Sequence, residues 1–126
     1  MAAIAPAPPH ESISARSAIA AMSNRDISWN GDYLGLEPHV SGNAAQYLLK
    51  AGPEATPLLL KALHDPSKYV AAHVILTLRN TEALRPSASE WNDLSIELRP
   101  DRTVRYDVRQ MATLQELWAR RLPDVR

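Results

Sequence analysis

The 126-residue sequence contains no cysteine, which excludes disulfides, thiolate catalysis and cysteine-ligated metal sites. It contains no phenylalanine either, so its aromatic content rests on three tryptophans and four tyrosines. Glycine occurs only at positions 31, 35, 42 and 52. These never cluster, so neither a phosphate-cradling loop nor a dinucleotide-binding fingerprint is present. There is no serine nucleophile elbow. Net charge is zero, from 14 basic and 14 acidic residues, which disfavours nucleic-acid binding, a process that leans on phosphate neutralisation. Charge is uneven along the chain: residues 1–98 carry 7 basic and 10 acidic groups, and residues 99–126 carry 7 and 4. Nucleic-acid binding could be argued only from that Arg-rich C-terminal part, where ordinary helix-surface arginine is the plainer reading.

No apolar run approaches the ~20 residues of a membrane span. The N-terminal Ala/Ile runs are broken by Pro6, Pro8, Pro9 and Glu11, and no charged segment precedes a signal-length apolar stretch. The expectation is a soluble, cytoplasmic protein without a membrane partner. The length is that of one domain: residues 1–9 read as a disordered Ala/Pro-rich tail, and residues 10–126 as a single domain.

The chain's apolar mass is concentrated between Gly52 and Asn80. Pro53 suits a first helical position, and Gly52 before it can end the preceding helix. Ala55, Leu58, Leu59, Ala62 and Leu63 recur at helical spacing, with Pro57 kinking the first turn. Asp65 suits an N-cap and Pro66 a first helical residue. Val70, Ala71, Val74, Ile75 and Leu78 form a second stripe.

This stretch resembles a HEAT-type repeat: a Pro-kinked helix, an Asp65-Pro66 turn, then a helix with the small pair Ala71-Ala72. Asn43–Leu49 aligns with Val70–Leu76 at an offset of 27 residues (71 − 44), as in the short, phycobilisome-lyase-like type. The resemblance covers residues 41–80. It implies an antiparallel helix stack over 42–80 and a surface that binds other proteins.

Around that centre, residues 10–23 read as a helix with Ile13, Ile19, Ala20 and Met22 inward and Ser12 as a cap. Residues 24–41 read as a loop pinned by Trp29 and Tyr33, in preference to a hairpin turning at Asn30-Gly31. Residues 81–93 read as a second irregular connection carrying Trp91. From residue 94 the period changes to two. Leu94, Ile96 and Leu98 answer Val104, Tyr106 and Val108 across Pro100-Asp101-Arg102. Matching the apolar faces pairs Leu98 with Val104, Glu97 with Arg105 and Ile96 with Tyr106. Residues 109–122 read as a final helix that buries Met111, Leu114, Leu117, Trp118 and Leu122, with Asp107 and Gln110 as a capping box. The fold class expected is therefore mainly α (α+β): a short HEAT-like helix stack capped by the 94–108 hairpin and the final helix.

Four histidines are present. His64 and His73 could converge with Asp65 on a ligand, but no spacing matches a zinc pattern. No metal, no cofactor and no catalytic set is expected. His73 reads as a boundary residue. Trp29 and Trp91 are either hot-spot anchors or pegs that fasten their loops, the second role being favoured. Lys68 and Tyr69 read as exposed rim contacts. The function expected is a non-catalytic protein-binding module, an adaptor, regulator or immunity-type protein, using Trp29, Tyr33, Lys68, Tyr69, His73 and Trp91. The alternatives are a lyase-like protein handling a small ligand or chromophore, and nucleic-acid binding through the C-terminal arginines. A homo-oligomer is compatible with the pattern.

Overall fold

The helix Tyr69–Arg79 (α4) is buried on every side from Tyr69 to Thr77. A helix apolar all round must be enclosed rather than laid on a surface, and the rest of the chain supplies the enclosure. In a computed structural model, residues 14–32, 35–80, 90–101 and 104–122 are described. The other helices are Ala15–Ala21 (α1), Asn43–Lys50 (α2), Ala55–Ala62 (α3) and Gln110–Arg121 (α5). The strands are Ile27–Asp32 (β1), Gly35–Val40 (β2), Glu90–Trp91 (β3), Leu94–Leu98 (β4) and Val104–Tyr106 (β5). β1 and β2 form one antiparallel sheet, and β3-β4-β5 a second.

The expected HEAT-like, mainly helical stack is therefore corrected. Among the described residues five helices are interleaved with five strands in two small sheets, a mixed α+β architecture. A stacked repeat touches only its neighbours along one line. Here α1 packs on both α2 and α3, α4 packs on the same two helices, and β1 also lies against α4. The buried side chains form a single cluster. Burial of Val70, Val74, Ile75 and Leu76 on α4 stabilises by roughly 1.5–3 kcal/mol per side chain. A carboxylate at Val74 would be enclosed without a partner.

Long-range caps tie the helices together. Asp65 does not cap α4. Its carboxylate accepts from the Ser67 N–H at 2.8 Å and the Ser67 hydroxyl at 2.7 Å, forming a local turn of the kind Asp favours. The first-turn N–H groups of α4 are taken by Asn24 Oδ1 instead, at 2.9 Å from Val70 and 3.3 Å from Ala71. Asn24 Nδ2 also donates to the Pro66 carbonyl at 2.9 Å. At the other end of α4, the Arg79 guanidinium donates to the carbonyls of Leu48, Ala51 and Gly52, closing the C-terminus of α2. Such orphan carbonyls need partners. α1 begins with a Ser14–Ser17 capping box and turns Ala15, Ala18 and Met22 inward, while Ala20 is exposed. Of the expected inward residues Met22 is buried and Ile19 packs against the core, and Ala20 is not inward. Ser12, Ile13 and the 1–9 tail lie outside the described residues.

Residues 24–41 are not a loop. Ile27 pairs with Val40, Trp29 with Pro38 and Asp32 with Gly35, so Asn30-Gly31 lies within β1. Ile27 and Trp29 point inward with Leu36, while Ser28 and Asn30 are exposed. In the second sheet the pairs Ile96–Tyr106, Glu97–Arg105 and Leu98–Val104 are those expected. β3 was not expected; it joins β4 through Asn92-Asp93. Both turn residues have positive φ, 50° and 72°, as a two-residue type I′ hairpin turn requires.

Candidate functional site

Two tryptophans, Trp91 and Trp118, meet one histidine, and the third, Trp29, meets Trp91. His73, from the middle of α4, is fully buried. Its ring stands edge-on to Trp91 at 5.9 Å and to Trp118 at 6.0 Å between centroids, and Trp29 meets Trp91 at 5.7 Å. These are favourable edge-to-face spacings. The indole N–H of Trp118 donates to His73 Nδ1 at 2.9 Å. With Nδ1 accepting, the neutral imidazole carries its proton on Nε2. Among the described residues Nε2 has no hydrogen-bond partner. Burial pushes the His73 pKa down to about 4, against weaker opposing pulls from the Trp91 and Asn92 backbone and the Asp93 carboxylate.

A buried polar chain fixes the β3–β4 turn over this ring. Asn92 Nδ2 donates to Thr77 Oγ1 at 2.8 Å, and Thr77 donates to the His73 carbonyl at 2.8 Å. Arg121 donates to Asn92 Oδ1 at 3.2 Å and lies over the Trp118 ring. At the start of α5 the expected capping box is replaced. Asp107 accepts from the Arg109 N–H and guanidinium. Gln110 turns instead to β4, accepting from the Ser95 N–H at 2.7 Å and donating to the Ser95 carbonyl at 3.3 Å. Its side-chain amide takes the place a longer β5 would have filled.

The expected binding residues are scattered, and most are inside. Trp29 is 7% exposed, Trp91 2% and Tyr69 2%. Trp29 and Trp91 are pegs. Tyr69 is no rim contact, and burial pushes its phenol pKa up to about 12. Lys68 is half-buried and donates to the carbonyls of Ala20 and Met22 at 3.0 and 2.7 Å, capping α1. His73 belongs to the core, not a boundary. Tyr33 lies outside the described residues. His64 is exposed and lines an apolar groove between α3 and α5, away from His73, so the two do not meet on a ligand with Asp65. Among the described residues no three His, Asp or Glu side chains converge as metal ligands would.

What the pattern reading missed is a groove of about 450 Å³ lined by Asn24, Arg25, Ile27, Ser28, Trp29, Asn30, Val104 and Tyr106. Its floor is the hydrogen bond from Trp29 Nε1 to the Tyr106 hydroxyl, 2.8 Å long. The pairing pattern fixes the direction of the backbone along its walls. Pro38 has no N–H, so the Trp29–Pro38 pair cannot be a hydrogen-bonded one. The hydrogen-bonded pairs fall on alternate residues, in keeping with the Ser41 N–H bond to the Asp26 carbonyl. Trp29 therefore turns its N–H and C=O to the outer edge of β1. On β4, Ser95 faces the β5 side, because Gln110 satisfies it there. By the same alternation Arg105 bonds to Glu97, and Val104 and Tyr106 turn outward. Among the described residues no strand pairs with either outer edge. A proline inside the alternating Leu36–Val40 run was the sequence signal that could have located this edge.

The larger groove, of about 980 Å³, over β4–β5 and the start of α5 carries charges of both signs, and Arg109 and Asp107 there bind each other at 2.9 Å. No protein-family model, curated protein or solved structure matches this chain. Among the described residues no helix is long and apolar enough to cross a membrane.

Proposed function

We propose that the protein is a non-catalytic protein-binding module that receives its partner in the groove between β1 and β5. The observation that carries this reading is the pair of strand edges lining one groove with their backbone donors and acceptors turned outward. Natural proteins usually cover, charge or shorten such edges, because they recruit other chains. The titratable group most perturbed by burial, His73, is sealed in the core out of reach of any substrate. The C-terminal arginines favour nucleic acid little: Arg99, Arg109 and Arg121 are engaged by Glu97, Asp107 and Asn92 within the chain.

The test is a photo-crosslinking amino acid placed at Asn30, on the groove, and at Ala112, exposed on α5. Capture of one defined protein from native cells at residue 30 but not at residue 112 is expected. The same proteins captured equally at both positions would overturn the reading.

A further inference from the structure

We propose that the partner enters this groove as an extended segment that adds a strand to the outer edge of β1, with an apolar side chain over Trp29 and Tyr106 and an acidic side chain against Arg25. This rests on the protein-binding reading and names the chemistry of what is bound.

The hydrogen-bonding pattern selects the occupant. Trp29 offers a donor and an acceptor in the plane of its sheet, and Val104 and Tyr106 offer the same from β5. Only a chain that presents donors and acceptors at the same spacing of two residues satisfies such an edge, which is what an extended polypeptide does. A helix, whose backbone bonds internally, cannot. The Ile27 N–H is already spent on the Asn24 carbonyl, so pairing starts at the Ile27 carbonyl and runs past Trp29.

Side-chain faces set the specificity. The Trp29 ring lies on the buried face and Ser28 and Asn30 on the exposed face. An incoming residue opposite Trp29 shares its face, so its side chain meets the floor made by Trp29 and Tyr106. That position calls for an apolar group. Charge is one-sided: of the eight residues lining the groove, Arg25 alone is charged. It is exposed and forms no ion pair among the described residues. An Asp or Glu at the end of the segment lying by Arg25 is the complementary choice.

The probe is a set of heptapeptides selected on the full-length protein from a random displayed library. Their binding is followed by fluorescence polarisation. The selected peptides are expected to share one apolar and one acidic position. N-methylation at every second peptide residue should weaken binding about tenfold or more, the effect of about one lost hydrogen bond, and methylation between those residues should have little effect. Val104→Pro removes an outward N–H from β5 without breaking a bond to β4, as Pro38 already does on β2, and is expected to leave binding unchanged, because the segment bonds to β1. Arg25→Glu should weaken binding as much as the disruptive N-methylations do, with recovery when the peptide's acid is changed to lysine. These two arms stand even if Val104→Pro fails to fold. N-methyl effects without a two-residue period, or binding indifferent to Arg25→Glu, would overturn strand addition. So would loss of binding in Val104→Pro, which would seat the segment on β5, or a concentration-dependent dimer that the peptides do not dissociate. Peptides or crosslinked proteins that bind elsewhere sink this inference while protein binding stands. Failure of the Asn30 crosslink sinks the reading beneath it.

Discussion

Acidification should loosen this fold through His73. The imidazole is neutral in the folded protein, with its pKa lowered by burial from the ordinary 6.5 to about 4. Between those values the unfolded chain binds a proton that the folded chain refuses, so stability rises with pH across the window and falls as pH drops through it. At one pKa unit per 1.36 kcal/mol, the full effect is about 3 kcal/mol, of which about 2 kcal/mol is gone by pH 5. Protonation also has a geometric consequence. A charged imidazole has two donors and no acceptor, so the Trp118 N–H would face another N–H, and the tie from α4 to α5 would be lost. The charged groups that bear on the ring are Asp93, from the β3–β4 turn, which favours the cation, and Arg121, from α5, which opposes it.

The measurement is urea unfolding followed by tryptophan fluorescence between pH 7.5 and pH 5, on the natural protein and on His73→Gln. Glutamine keeps an acceptor for Trp118 and does not titrate in this range. The other histidines are common to both proteins and cancel in the difference. For the natural protein relative to the variant, a stability loss of about 2 kcal/mol by pH 5 is expected, which is on the order of 1 M in urea midpoint. A difference that stays flat to within about 0.5 kcal/mol over the same range would refute the linkage argument.

Three further outcomes are expected. Lys68→Met, which removes the cap on the Ala20 and Met22 carbonyls, should destabilise by about 1–3 kcal/mol, read as a lower urea midpoint and faster amide exchange at the end of α1. Gln110→Glu loses the donor to the Ser95 carbonyl and should cost about 1–2 kcal/mol, with Gln110→Ala as the neutral control and exchange at Ser95 as a local readout. Asp93→Gly relieves a positive φ of 72° at an exposed turn and should stabilise by a few tenths to about 1 kcal/mol in the same unfolding assay.

Legibility in the sequence followed how local the physics was. The β4–β5 register was readable because apolar residues alternate on both sides of a proline-bearing turn, and only one pairing aligns them. The buried face of α5, Leu114, Leu117 and Trp118, was readable from helical spacing. β1–β2 was not. Gly31, Gly35 and Pro38 weaken its strand propensity, and Asn30-Gly31 imitates a turn although it lies within β1. The helix termini were misread for a different reason. Asp65 and Gln110 carry the right chemistry for local caps, but Asn24 reaches α4 across 46 residues and Ser95 claims Gln110 across 15. Composition at the terminus does not encode such partners. The mainly helical, HEAT-like expectation failed partly because Glu90-Trp91 is too short a strand to show a period, and its turn, Asn92-Asp93, lacks the glycine usually sought there.

The site was hidden because the aromatics posed a false choice. Trp29 was read either as a peg with its ring buried or as an anchor offered to a partner. In a strand the side chain stands perpendicular to the sheet, while the amide and carbonyl lie in its plane. Burial of the ring therefore says nothing about where the backbone points. Trp29 shows both: its indole is held to Tyr106 on the floor of the groove, and its pairing opposite Pro38 turns its amide to the open edge. The two features also support each other. A ring locked by Trp91 on one side and Tyr106 on the other holds the β1 backbone in one position, so an incoming strand would meet an edge that is already ordered. Loosening the lock should then weaken binding without touching the groove's donors or acceptors. Trp29→Phe, which retains the stack on Trp91 and loses the bond to Tyr106, separates the two contributions. Peptide affinity lowered with an unchanged two-residue N-methylation pattern is expected; a changed pattern would mean that the edge itself had moved.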